Sequence, residues 1–351
     1  MPDGKNQHFV PQRYFRKFSA DGKSISLFQK HTSRFIRAAS IKHQASKAWF
    51  YGDEEIEKAV TALESVGGSA IDKILSASDL CELDDETFDG MRLWLALQRH
   101  RTEAARSASA SVDNDLLHLY LESKLHIMEE QGPYSRAELA AVIPKLEVIP
   151  AQAQLTKIGI GVEQSHNLDD LAVVVLKNKS TKPFIFSDAP CVYHNVFYEK
   201  VKGVGVLGAR SVGLLIFLPL SPAKCLMVYD SNVYSINPPP TFIKTVGNIA
   251  DISAINSLQM HSASSCIYAS NHLDEGYVRY LWDTQKDRVK DNSFVTRKFS
   301  SFDSNNRPSS ELRLYYEPVL NIQFRLSFMK TQKSPAGVFF RSRDEFMNGR
   351  T

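Results

Sequence analysis

The sequence lacks most of the patterns that identify a reaction. Its cysteines, at positions 81, 191, 225 and 266, are far apart and form no CxxC pair, which argues against a zinc site and favours a reducing compartment. It contains no HExxH, P-loop or GxSxG motif, the signatures of zinc proteases, nucleotide-binding loops and α/β-hydrolases. The longest apolar runs, such as Gly213–Leu220, are too short to span a bilayer. Since no basic-then-apolar leader precedes them, we expect a cytoplasmic protein with no membrane partner.

A strong net charge is also missing. The 42 lysines and arginines nearly balance the 39 acids and leave +3, which is too little to predict a nucleic-acid partner by itself. The excess is uneven, because residues 5–47 hold ten lysines and arginines and a single acid, Asp21. We therefore expect a positive N-terminal surface, with nucleic acid or another phosphate-bearing ligand as its partner.

Helical spacing of apolar residues predominates in the first part of the chain. Asp53 is a suitable cap for a helix that begins at Glu54, and Gly67-Gly68 predicts an interruption of that helix. The next helix begins near Asp84 and is apolar nearly all round, so it should be buried. Further helices are predicted over residues 112–130, 136–142 and 152–163.

Short β-type runs predominate after Leu168, with one helix predicted among them over residues 243–262. Asn237–Pro240 is typical of a linker. The predicted strands cover residues 24–28 and 34–37 near the N-terminus, and then 171–176, 184–186, 214–218, 225–229, 265–269, 294–298, 312–316 and 322–326.

These patterns predict an α+β fold, in which a helix-rich N-terminal half packs against a mixed, mainly antiparallel sheet from the C-terminal half. The hydrophobic content of 43% and the charged content of 23% fit a folded chain with a sizeable core. We divide the chain into a basic strand/turn unit (1–52), a helical region (53–167), a strand-rich region (168–331) and a tail (332–351). We expect these parts to form one composite domain.

Residues 7–18 concentrate aromatic and basic side chains near the N-terminus. Pro11 favours extended geometry before it and is able to begin a helix. His8 would then precede a helix N-terminus, where backbone N–H groups attract anions. Two interpretations stay open: the aromatic residues anchor the terminus, or His8 and Arg13 line a polar site, since histidine changes charge near neutral pH.

Ser187 and Asp188 follow an apolar run and precede Pro190. Polar side chains at the end of a strand are typical of sites in open α/β sheets. The alternative is an Asx turn, in which Asp188 accepts a hydrogen bond from the backbone two residues on.

Gln98 and Arg101 continue the buried helix and share one of its faces. A buried arginine requires a carboxylate or phosphate partner. Arg101 therefore binds either a phosphate or a structural partner, for which Glu64 is a candidate.

Asn256 lies among apolar residues of the late helix, so it too is expected to point inward. It is either a core residue bonded to the backbone or part of a polar site.

Residues 203–208 match the GxGxxG pattern. That pattern indicates dinucleotide binding only when a strand precedes it and a helix follows. Here Leu214–Pro219 reads as a strand, so we predict a glycine loop over a site and not a dinucleotide-binding turn.

Several of these segments occur together in a fixed order: His8-Phe9-Val10-Pro11 with Tyr14 and Phe18, Gln98–Arg101, Phe186–Pro190, Leu218–Pro222 and Ile255–Leu258. Over roughly residues 6–270 the set resembles the bacterial DUF4238 family, a domain of unknown function. That family often has leucine at the position of Phe15 and asparagine at the position of Ala189. The resemblance implies a cytoplasmic bacterial protein, and it implies that the polar residues of these segments share one site. It supplies no reaction.

Two functions are weighed for that site. The first is a phosphodiester hydrolase resembling a nuclease, with histidine as general acid or base, arginine as phosphate clamp and aspartate as orienting group or metal ligand. The candidate catalytic residues are His8, Asp188 and Asn256. The candidate substrate-binding residues are Arg13, Gln98, Arg101 and Ser187. No cofactor is identified, although the set is compatible with a divalent metal ion. The alternative is a non-catalytic module that binds an anionic ligand or a partner.

Overall fold

A computed structural model describes residues 6–52, 54–201, 203–236, 242–289, 293–302, 308–332 and 339–341. The predicted helix cap Asp53 and the predicted linker Asn237–Pro240 lie outside the described residues. The helices are α1 (Gln12–Arg16), α2 (Glu54–Ser76), α3 (Asp85–His100), α4 (Glu103–Ser123), α5 (Leu125–Gln131), α6 (Arg136–Val142), α7 (Pro150–Glu163), α8 (Ile249–Ser262) and α9 (Glu275–Gln285). The strands are β1 (Asn6–His8), β2 (Ser24–Gln29), β3 (Arg34–Ser40), β4 (Ser46–Ala48), β5 (Ala172–Asn178), β6 (Phe186–Ser187), β7 (Val192–His194), β8 (Leu215–Ser221), β9 (Lys224–Tyr229), β10 (Tyr234–Ile236), β11 (Ile243–Val246), β12 (Cys266–Ala269), β13 (Val295–Phe302), β14 (Pro308–Tyr316) and β15 (Met329–Thr331). The predicted α+β class is confirmed.

Two sheets carry most of the strand residues. The larger has the order β11-β5-β9-β8-β7, in which β11 runs parallel to β5 and the other neighbours are antiparallel. The smaller has the order β3-β2-β12-β6 and is antiparallel. Because β2 pairs with β12, the N-terminal unit and the C-terminal half share one sheet, and neither forms a separate layer.

Helices α2 and α3 pack closely at glycines. A Cβ atom at Gly67 would lie 2.9 Å from the Cβ of Trp94, and one at Gly90 would lie 2.8 Å from the Cβ of Ala70. The glycines therefore permit the close approach of the helices, and α2 continues through Gly67-Gly68 instead of breaking there as predicted. Helix α3 begins where expected, because the Asp84 carboxylate accepts the Thr87 N–H at 2.9 Å.

The aromatic residues of the N-terminal segment pack against Phe186 of strand β6. The rings of Tyr14, Phe15 and Phe18 lie 5.1, 5.1 and 4.5 Å from the ring of Phe186, between centroids. All four side chains are buried. The segment is therefore an anchor of the core, which is the first of the two interpretations given for it.

The chain also departs from the predicted elements elsewhere, and the short strands β1, β4, β7, β10 and β15 were not predicted. Residues 243–246 form β11, and the late helix starts only after Asn248, whose side chain caps it. Residues 322–326 form no regular strand, although alternate side chains are buried. Helix α4 begins at Glu103, nine residues earlier than predicted, and the helical run is interrupted at Lys124. Helix α9 was not predicted, because its short amphipathic run lies among β-type segments. In the described part of the chain, none of the helices combines the length and the apolar character needed to cross a membrane.

Candidate functional site

Arg101 lies completely buried at the end of α3, where it joins three segments. Its guanidinium forms an ion pair with the Glu64 carboxylate on α2. Its Nε donates to the Tyr51 hydroxyl at 3.0 Å, and another guanidinium nitrogen donates to the His8 carbonyl oxygen. Protein groups therefore occupy this guanidinium, and the structural alternative with Glu64 as partner describes the observed contacts.

His8 lies at the end of β1 beside a small cleft. Its Nε2 donates to the Lys42 carbonyl oxygen at 3.2 Å. Burial lowers the pKa of His8, and the hydrogen bond to Lys42 acts in the opposite direction. The cleft has a volume of about 300 Å³, and Arg13, Arg16 and Glu57 also line it. We call it the His8 cleft.

The other basic and amide candidates near His8 also have partners within the protein. Arg13 is ion-paired with Asp72 on α2, and Lys17 approaches the same carboxylate. Gln98 is buried and donates to the Phe9 carbonyl oxygen at 3.0 Å. These contacts fix the N-terminal segment on α2 and α3, and together with the Arg101 contacts we call them the N-terminal network.

Asp188 stabilises the turn that joins α8 to β12. Its two carboxylate oxygens accept the backbone N–H groups of Ser264, Ser265 and Cys266 at 2.7–2.9 Å. Burial raises the pKa of Asp188, and the three backbone hydrogen bonds act in the opposite direction. The carboxylate thus accepts hydrogen bonds from the backbone of a turn that is distant in sequence. The Asx turn weighed as the alternative does not form, because the residue two positions on is Pro190, which has no backbone N–H.

Ser187 and Asn256 form further polar contacts between helix α8 and the segment that precedes Asp188. The Ser187 hydroxyl lies 2.9 Å from the Gln259 side-chain oxygen and 3.0 Å from the Ser262 hydroxyl. Asn256 accepts the Ile185 N–H at 3.1 Å, and its amide donates to the Pro183 carbonyl at 2.9 Å. Side-chain amides of α8 therefore hydrogen-bond to β6 and to the residues just before it. We call the contacts of Ser187, Asp188 and Asn256 the turn network.

The structure thus brings His8, Arg13, Gln98 and Arg101 to one place and Ser187, Asp188 and Asn256 to another. The residues that line the His8 cleft include none from the turn network. Within the described ranges, no three histidine, cysteine, aspartate or glutamate side chains are grouped so that they would hold a metal ion.

A larger, partly open cavity lies on the opposite side of α3 from the N-terminal network. Helices α3 and α7 form one wall, residues 204–211 form a second, and the end of β14 with residues 339 and 340 forms a third. Its volume is about 600 Å³, within the usual range for small-molecule sites. The GxGxxG segment thus covers a cavity, and we call this space the glycine-loop cavity.

Arg99 and His100 carry polar groups into the glycine-loop cavity. Arg99 is ion-paired with Glu317, and its guanidinium lies 4.7 Å from the ring centre of Tyr193. Burial lowers the pKa of His100 to about 4, with further contributions from Arg99 and Lys157, so its ring is neutral at pH 7. The four residues from Gln98 to Arg101 therefore contribute to two places. Gln98 and Arg101 belong to the N-terminal network, whereas Arg99 and His100 line the cavity.

Ser211 is one of the residues that line the cavity, and its hydroxyl is buried without a described partner. Its side chain is 1% exposed, and its Oγ forms no hydrogen bond within the described part of the chain. Burial of an unpaired hydroxyl costs about 1–3 kcal/mol. A buried polar group that stays unpaired in spite of this free-energy cost is typical of a functional site.

A short C-terminal segment holds the loop in place. The Arg341 guanidinium contacts the Asp170 carboxylate at 2.6 and 2.9 Å and donates to the carbonyl oxygens of Ala209 and Ser211 at 2.7 Å. The Val212 N–H donates to the Phe339 carbonyl oxygen at 2.9 Å. Residues 339 and 340, in the predicted tail, therefore complete the cavity wall, and Arg341 holds them to the loop.

Comparison with known proteins identifies the family of the chain. The model of the family described as "Protein of unknown function (DUF4238)" matches residues 6–272. The chain belongs to the DUF4238 family. Searches of curated proteins and of solved structures found no match to this DUF4238 protein.

The cavity of this DUF4238 protein extends beyond the family match. Arg99, His100 and Ser211 lie inside the matched residues, whereas Glu317 and Phe339 lie after them. Sequence reasoning identified the glycine loop but missed Ser211 and Glu317, and it did not select Arg99 or His100 as site residues. The loop was detectable from its glycines, but no local pattern marks a lone serine or a glutamate after a strand as part of a site.

Proposed function

We propose that this protein is a ligand-binding module that takes the planar ring system of a small molecule into the glycine-loop cavity. The observation that carries the proposal is the partly open, mainly apolar cavity, whose lining residues include Ser211, a buried serine with no described partner for its hydroxyl. Concave, mainly apolar cavities with a few convergent polar groups are the usual form of small-molecule sites. The proposal shares the absence of a reaction with the non-catalytic alternative drawn from the sequence, but that alternative was an anionic ligand or a partner bound by other residues.

The lining defines the chemistry of the ligand. Tyr193, Tyr316 and Phe339 supply aromatic surface, which favours a planar ring system. The Glu317 carboxylate accepts hydrogen bonds, and the Ser211 hydroxyl both donates and accepts them. A heteroaromatic ring with N–H groups on one edge satisfies both kinds of contact.

Thermal-shift measurements with adenine, guanine, uracil and indole test the proposal. A ligand that binds only the folded protein raises the melting temperature. Gly208→Leu places a side chain toward Ser211, where a Cβ atom would lie 3.6 Å from Oγ, and should abolish the shift. Gly159→Leu is the matched control, because a Cβ atom there meets nothing within 4 Å. If none of the four compounds shifts the wild-type melting temperature, or if Gly208→Leu responds like the wild type, the proposal is rejected.

Phosphodiester hydrolysis at the His8 cleft is a second candidate function. It is supported by His8, Arg13 and Arg16, which line one cleft and pair a potential general base with two cations. Cleavage of labelled single-stranded RNA and DNA with Mg²⁺ or Mn²⁺ tests it, with His8→Ala compared against the exposed control His126→Ala. Equal cleavage by the wild type and His8→Ala, or no cleavage by either, rejects this candidate.

A further inference from the structure

A cleft of about 900 Å³ lies next to the glycine-loop cavity. Its walls come from residues 199–201, 203 and 204, from Arg288 after α9, from β13, and from residues 316, 318–323 and 325. Lys200, Arg288, Arg297 and Arg325 line it, and we call it the basic cleft. Glu199 is the one acidic residue among those that line it.

The positive charge of the basic cleft is only partly balanced. Arg325 binds the Glu199 carboxylate through two hydrogen bonds, at 2.7 and 3.0 Å, so these two charges cancel. The side chains of Arg288 and Arg297 are exposed, and neither forms a hydrogen bond or ion pair with the described residues. Arg288 and Arg297 therefore leave two cations without a described acidic partner, whereas Lys200 lies beside Glu199. Guanidinium groups in this condition are suited to phosphate, which they bind through paired hydrogen bonds.

The basic cleft and the glycine-loop cavity share a wall. Val204 and Tyr316 line both spaces, while Gly203 faces the cleft and Gly205 faces the cavity. Gly203 has a φ of +86°, and a Cβ atom there would overlap the Arg297 guanidinium. The glycine therefore lets Arg297 lie directly on the loop that separates the two spaces.

From this juxtaposition we propose that the ligand is a free nucleotide, with its base in the glycine-loop cavity and its phosphate in the basic cleft. The inference rests on the proposed function, because it assigns the cavity to the base. The aromatic wall and the Glu317 carboxylate suit a base with N–H groups, and the unpaired cations suit the phosphate. The arrangement differs from a dinucleotide-binding turn, because strand β8 and not a helix follows the loop, and side chains supply the phosphate contacts.

Titration calorimetry with the whole protein tests the nucleotide assignment. The ligands are adenosine, guanosine, cytidine and uridine, their 5′-monophosphates, inorganic phosphate and a ten-nucleotide single-stranded RNA. We expect at least one monophosphate to bind roughly tenfold to a hundredfold more tightly than its nucleoside, which is the usual value of a charge-assisted contact. Arg297→Ala and Arg288→Ala should remove most of that difference without changing nucleoside affinity. The exposed Arg136→Ala is the matched control.

The outcomes separate this inference from the proposed function. If a nucleoside and its monophosphate bind equally, and Arg297→Ala has no effect, the cavity function stands and the nucleotide assignment is wrong. If the RNA or inorganic phosphate binds and no monophosphate does, the assignment is also wrong. If neither nucleosides nor monophosphates bind, and the four ring compounds cause no thermal shift, both fail together.

Discussion

The guanidinium of buried Arg101 is ion-paired with the carboxylate of Glu64, and the pair joins α2 to the end of α3. The same guanidinium holds the carbonyl oxygen of His8, so one side chain fixes the N-terminal segment to the helices. Its neighbour Arg99 points to the other side of α3 and lines a cavity. Two arginines two residues apart therefore have different roles. A phosphate site is better supported in the basic cleft, where Arg288 and Arg297 have no described acidic partner.

Arg101→Ala should destabilise the fold by about 3–5 kcal/mol, because it leaves the partner charge of a buried pair uncompensated. The Tyr51 hydroxyl and the His8 carbonyl also lose a hydrogen bond. Chemical denaturation of Arg101→Ala, Glu64→Leu and the double variant measures the effect. The double variant should cost less than the sum of the single variants. A change below about 0.5 kcal/mol for Arg101→Ala, the ordinary range for surface substitutions, would contradict the structural role.

Ser211→Ala should raise the free energy of unfolding by about 1 kcal/mol while it weakens ligand binding. The substitution removes a buried hydroxyl that has no described partner. Ser262→Ala is the matched comparison, because the Ser262 hydroxyl bonds Ser187 and the Ala189 carbonyl, and its loss should destabilise by about 1–2 kcal/mol. Thermal unfolding of both variants, with and without a bound ring compound, measures the two effects. Equal destabilisation by both would show that Ser211 is hydrogen bonded in the protein.

Because His194 is buried, we expect the protein to lose stability as the pH falls. Burial lowers the pKa of His194 to about 4, and neither ring nitrogen has a described partner. The neutral form is therefore favoured in the folded state, so the stability that this group contributes is full above pH 6.5 and falls as the pH drops toward 4. The complete loss is about 3 kcal/mol by this linkage.

His194→Leu should therefore flatten the decline in unfolding free energy between pH 6.5 and 4. Urea denaturation at half-unit pH steps measures the profile, and His126→Leu on an exposed helix surface is the control. A His194→Leu profile as steep as that of the wild type would show that other groups cause the acid sensitivity.

Gly203→Ala should destabilise the protein by about 1–2 kcal/mol, because an L side chain is strained at positive φ. Gly22→Ala carries the same strain but meets nothing within 4 Å, so it should cost a similar amount. Only Gly203→Ala displaces Arg297, and only this variant should lose the extra affinity for a monophosphate over its nucleoside. Equal nucleotide binding by the two variants would show that Arg297 does not depend on Gly203.

Local sequence was sufficient for much of the fold. The helical spacing from Glu54 and the Asp84 cap place α2 and α3, because apolar periodicity and caps act within a few residues. Residues 243–246 were misassigned, because the pairing of β11 with β5 depends on a strand far away in sequence. The Glu64 partner of Arg101 was found as an alternative, since a buried arginine requires an acid and the neighbouring helix offered one.

By itself, the sequence determined the α+β class, the family and the glycine loop, because composition, periodicity and ordered motifs are properties of the chain. Only the tertiary structure showed that the candidate residues belong to two separate networks, the N-terminal network and the turn network, in which they are paired with other protein groups. It also brought Arg99, Ser211 and Glu317 around one cavity. The reason is physical: whether a polar side chain is satisfied depends on distant backbone groups that fold against it. Asp188 looked like a site residue in the sequence, yet three N–H groups from another turn occupy its carboxylate.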